Sequence, residues 1–110
     1  MNVVSVLTSA DAAVSGRSDR PATAVLHDSP DARAVVFRID PGQEVAPHTS
    51  TSTVLLSVVA GHGMVSGASG ERAVSPGDLV TYDVGELHGM RATGEQLVIA
   101  AVITPRPGAR

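Results

Sequence analysis

The residues able to do chemistry in this chain are few, and their types already exclude most mechanisms. There is no cysteine, so disulfides, zinc–thiolate sites and thiol nucleophiles are absent. All eight basic residues are arginine, which removes Schiff-base lysines and the lysine of phosphate-binding loops. Histidine is left as the versatile group, serving as general base or metal ligand. The four histidines are His27, His48, His62 and His88. Glu44 precedes His48 on the same strand parity, but four extended residues separate them by about 13 Å; it reads as a rim carboxylate. Glu86, in the turn before His88, reads as a loop residue beside the site rather than as a ligand contact. Tyr82 either orients a ligand or packs, the commoner fate of a half-buried strand tyrosine. Met64 and Met90 read as gap-filling core rather than copper ligands.

The elements that must position these groups are short strands. Ala22–His27 and Ala32–Asp40 are apolar runs split by Asp28-Ser29-Pro30-Asp31, a strong turn signal. In the second run Val35, Phe37 and Ile39 share one face, with Arg38 and Asp40 on the other. Val45–His48 leads into a Thr/Ser cluster, and Val54–Ala60 reads as a strand buried on both sides. Gly67–Gly70 closes a hairpin, and Pro41-Gly42, Pro76-Gly77 and Asp83–Glu86 punctuate the rest. Asp78–Tyr82, Leu87–Ala92 and Gln96–Thr104 are the last strands. Val3–Leu7 is a further β-branched run, and Ser9–Arg20 a surface loop or single helical turn. Turn signals about every 8 to 12 residues, without an amphipathic helix of ordinary length, favour an all-β sandwich or barrel.

Two stretches carry a family resemblance. PGQEVAPHTSTSTVLLSVVAG, Pro41–Gly61, places His48 after Gly42 and closes on Gly61. GDLVTYDVGELHGMRA, Gly77–Ala92, places His88 after Gly85. In this order and at this separation they resemble the two motifs of small single-domain cupins of the RmlC-like kind. The resemblance implies an antiparallel double-stranded β-helix, the jelly-roll cupin barrel, with His48 and His88 facing each other inside it. It also implies a division into an N-terminal strand and loop arm (1–21), a barrel (22–104) and a C-terminal tail (105–110).

Metal-binding members of that family hold Mn, Fe, Zn, Ni or Cu with three histidines and a glutamate, donors suited to such ions. Here Ser50 stands at the second histidine position and Val54 at the glutamate position. Any divalent metal is therefore expected on His48 and His88 alone, held weakly and less well at acid pH, where imidazole is protonated. The alternative is two histidines hydrogen-bonded in a polar pocket, holding a ligand carboxylate. The pocket is expected to be lined by His48, Ser50, Val54, Leu56, Tyr82, His88 and Met90. His62, a whole strand from the Val54 position, reads as a surface residue, and His27 as structural.

Two classes of function stay open. One is a binding or sensing barrel for a small polar or anionic molecule. The other is a metal-dependent isomerase, lyase or dioxygenase acting on a small metabolite; the fold alone does not decide. Nucleic acid is not an expected partner: the net charge is −3 and Phe37 and Tyr82 are the only aromatic rings. No segment has the apolar length of a membrane helix, and the N-terminus does not read as a signal peptide. A cytoplasmic homodimer is expected, pairing through Val3–Leu7, Ala22–Leu26 and outer sheet faces.

Overall fold

The computed structural model describes residues 1–108. The elements are α1 (Val6–Ala12), β1 (Ala22–Asp28), β2 (Arg33–Ile39), β3 (Glu44–His48), β4 (Thr53–Ala60), β5 (Gly63–Gly67), β6 (Gly70–Val74), β7 (Leu79–Tyr82), β8 (His88–Ala92) and β9 (Leu97–Thr104). The strands form two antiparallel sheets, ordered β1-β2-β9-β4-β7 and β3-β8-β5-β6. This is a double-stranded β-helix: chain neighbours such as β3 and β4, or β7 and β8, lie in opposite sheets.

Strand alternation sends one set of side chains between the sheets, and register stacks them in rungs. In the larger sheet the rungs run Ile39–Leu97, then Phe37–Ile99–Val58, then Val35–Ala101–Leu56–Val80, then Ile103–Val54–Tyr82. In the smaller sheet Met90 lies between Val65 and Val45, and His88 opposite His48. Ile39, Leu97 and Ile99 are wholly buried at one end of this core. Two glycines permit the tight closure there. A Cβ on Gly61 would sit 1.8 Å from the Gln96 carbonyl oxygen, and one on Gly63 2.6 Å from Leu97 Cδ2.

Three expectations need correction. Val3–Leu7 is not a strand: helix α1 begins at Val6, with the Ser5 side chain accepting from the Thr8 N–H as N-cap. The helix lies on the outer face of the larger sheet, where Ala10 packs with Val36 and Val98. Val36 is thus wholly buried on the side that Arg38 shares, although alternation alone assigns that side to solvent. Second, β4 is not buried on both sides. Val54, Leu56 and Val58 are buried, Ser57 is exposed, and Val59 and Ala60 are half-covered. Third, Met64 is a half-buried residue between buried Gly63 and Val65, whereas Met90 is in the core. Among the described residues no helix is long and apolar enough to cross a membrane.

Candidate functional site

The end opposite Leu97 is not filled. Phe37, Val45, Val54, Leu56, Met90, Ala101 and Ile103 wall an apolar cavity of about 460 Å³, and His48, His88, Thr49, Ser50 and Thr51 give it a polar side. The volume lies within the roughly 300–1,000 Å³ usual for small-molecule pockets.

The histidine pair is built by backbone. From Val45 to His48 strand β3 advances three residues while β8 advances two, from Met90 to His88. This bulge, containing Pro47, resets the alternation. His48 therefore shares the cavity with Val45, while Glu44 is exposed and sits opposite Arg91. The parity that joined Glu44 to His48 in the sequence is broken here. Gly89 allows the bulge to come close: a Cβ there would meet Ser66 Oγ at 2.7 Å and the Val45 carbonyl oxygen at 2.9 Å. The turn at Gly85 is tied to the same region, its N–H donating to the Ser50 carbonyl at 2.9 Å with φ at +80°.

The two imidazole rings lie 4.2 Å apart, tilted by 57°. His48 is exposed at the mouth and His88 is 7% exposed. His48 Nδ1 is 2.9 Å from the Ala46 carbonyl oxygen, and His88 Nδ1 is 3.1 Å from that of Glu86. A carbonyl only accepts, so both Nδ1 atoms carry the proton, and both Nε2 atoms are left without a backbone partner. The Ser50 hydroxyl accepts the Ser52 N–H at 3.0 Å.

The structure thus brings His48, Ser50, Val54, Leu56, His88 and Met90 around one cavity. Tyr82 is placed differently. Its ring stands 5.2 Å from that of His88, and its hydroxyl donates to the Ser66 carbonyl at 2.7 Å. It supports His88 and lines a separate pocket with Val65, Val80 and Glu86. Burial, and then the nearby Glu86 carboxylate, push the Tyr82 phenol above its ordinary value. Glu86 itself is occupied, accepting the Asp83 N–H at 3.0 Å. His62 is exposed beside Glu95, and His27 is exposed on β1.

Sequence reasoning missed several contributors, among them the two that join the C-terminal segment to the site. Ser52, only 2% exposed, donates its hydroxyl to the Pro105 carbonyl at 2.7 Å. Pro107, beyond the last strand, lines the cavity. Among the other unforeseen wall residues, the alternation of β2 pointed to Phe37 and that of β9 to Ala101 and Ile103, whereas Val45 has the opposite parity to His48 and reaches the cavity only through the bulge.

Residues 35–104 match the family described as cupin domain. The chain belongs to the cupin family. No curated protein sequence matches it. A Klebsiella pneumoniae conserved protein with a double-stranded beta-helix domain is 26% identical, with a TM-score of 0.80 over 93% of this chain and 90% of that one. KdgF from Halomonas sp. is 23% identical, with a TM-score of 0.78 over 86% and 87%. A predicted oxalate decarboxylase from Thermotoga maritima is 22% identical, with a TM-score of 0.72 over 76% and 79%.

Cupins often bind a metal. The donors present here do not fit one. Valine has no donor atom, the Ser50 hydroxyl is a neutral, weak one, and the nearby carboxylate of Glu86 is turned to the backbone. Among the described residues no group of three or more His, Cys, Asp or Glu side chains is placed to hold a metal ion. Two imidazoles alone fall short of the three protein ligands of an open catalytic site.

Proposed function

We propose that this cupin binds a small amphiphilic anion, with its charged end at His48 and His88 and its apolar body against Val54, Leu56, Met90 and Ile103. One observation carries the reading: two imidazoles 4.2 Å apart, each with Nδ1 tied to a carbonyl, at the polar side of an otherwise apolar cavity. Each free Nε2 donates to an anion only when protonated. An anion is therefore held by the protonated form of the pair, so affinity rises as pH falls. A metal would impose the opposite sign, since coordination needs neutral imidazole. The exposed side chains of Val3, Val14 and Val25 support a homodimer as part of the same proposal; light scattering tests it separately.

The test is titration calorimetry with hexanoate and octanoate at a lower and a higher pH. The expected result is binding that strengthens at the lower pH and is lost in His48→Ala/His88→Ala. Absence of binding to the unaltered protein, or binding that the double substitution leaves intact, overturns the proposal. So does tight binding of Zn²⁺ or Mn²⁺ that His88→Ala abolishes.

A further inference from the structure

The C-terminal segment after β9 leaves the sheet and folds back over the mouth of the barrel. Two contacts hold it. Buried Ser52 donates to the Pro105 carbonyl. Arg106 grips the Asp28 carboxylate with two guanidinium nitrogens, Nη2 at 3.1 Å from Oδ2. The next residue, Pro107, is part of the cavity wall beside Ile103 and Ala101. Asp28 is shared, because Arg33 reaches it as well at 3.4 Å. The strap is thus pinned twice just before the residue that meets the cavity, once by a buried hydroxyl and once by an ion pair on the neighbouring hairpin.

We infer that this strap is the wall that sets ligand length, with Pro107 as the specificity-determining residue and the Asp28–Arg106 pair and Ser52 as the positioning residues that hold it. This rests on the ligand reading above. The other apolar walls are β-strand side chains fixed by sheet register, whereas Pro107 belongs to a segment outside any sheet and is held through side chains. It is therefore the part of the wall that yields when a long apolar body is accommodated. Proline, with a fixed φ and no N–H, presents a rigid apolar surface there and leaves no donor unsatisfied.

The chain has no cysteine, so Pro107→Cys supplies a single thiol whose reaction with a maleimide reports strap position without any ligand. Val84→Cys, at an exposed site, gives the rate for full access. The thiol of the Pro107→Cys variant is expected to react more slowly than that of the Val84→Cys variant. Adding Asp28→Asn or Arg106→Gln to Pro107→Cys is expected to speed the reaction roughly two- to fivefold, the range for releasing an exposed ion pair. Ser52→Ala is expected to do the same through the other pin. Equal rates with and without these changes overturn the strap. In the otherwise unaltered protein, Asp28→Asn is expected to raise the ratio of decanoate to hexanoate affinity by a similar factor. An unchanged ratio, with both acids still binding, overturns the role in length selection. Failure of every carboxylate to bind sinks the ligand reading and the length role with it, while the thiol rates still decide whether the strap is pinned. Circular dichroism matched to the parent confirms that each variant used is folded.

Discussion

The two ends of this barrel are made by the same strands and come out opposite in character. Along β9 the inward positions run Leu97, Ile99, Ala101, Ile103; along β8 they run Ala92, Met90, His88. At the first end Leu97 and Ile39 are wholly buried and fill the space over Gly63. At the other end a small Ala101 and polar His88 stand where large aliphatic side chains would close the core, and the cavity results. A cavity is stability not collected, because its lining lacks partner atoms. The closed end supplies the packing that lets the open end stay open, a division expected where function and stability compete.

Leu97→Ala tests the closed end most severely. It removes a wholly buried side chain packed on Gly63, and should lower stability by about 2–5 kcal/mol, read as a fall in urea midpoint. Octanoate binding should persist wherever the protein stays folded; loss of binding in a folded variant would couple the ends and break the contrast. Gly89→Ala comes next, since its Cβ would strike the β3 bulge and Ser66. Overpacking of this kind costs about 1–3 kcal/mol, and here it should also separate the imidazoles and weaken carboxylate binding. Retained affinity would show that the bulge does not position the pair.

His88→Leu should be the mildest change in stability within the site, within about 1 kcal/mol either way, because an apolar side chain replaces an imidazole on a largely apolar wall. Binding should nonetheless vanish. A large destabilisation would make His88 a structural residue after all. The smallest effect is the acid response of the strap. Hydrogen bonds from Arg106 and then Arg33 hold Asp28 down to about 2 from its ordinary 3.8. A depressed carboxylate stabilises the fold above its unfolded value and loses that contribution as pH falls from near 4 through about 2. Asp28→Asn should flatten thermal stability across that window; an unchanged slope would mean that the pair contributes nothing.

The open end was partly legible in the sequence because its landmarks are local. Glycines at turns and the histidines beside them mark the strand ends, and the alternation of β8 puts His88, Met90 and Ala92 on one side. The bulge was not legible, since only Pro47 hints at it and the extra residue shows only when β3 is laid on β8. The strap was invisible for a stronger reason. Its anchors, Ser52 with Pro105 and Asp28 with Arg106, join residues 53 and 78 positions apart, and no periodicity reports such a distance. The Val3–Leu7 expectation failed because a seven-residue helix whose only large apolar side chains are Val6 and Leu7 is too short to show a 3.6-residue period, whereas β-branched neighbours suggest a strand.

Helix α1 itself has a consequence for the order in which the molecule opens. Seven residues are too few to hold a helix in water, and this one borrows its support. Arg38, on the outer face of β2, donates to the carbonyls of Ala10 and Asp11 at 2.7 and 3.0 Å, capping the helix end from the sheet. The helix therefore exists only while β2 is in place, but the barrel does not need the helix to pair its strands. In native-state hydrogen exchange the amides of α1 should open at a free energy well below that of β9, as a separate unit that detaches first and returns last.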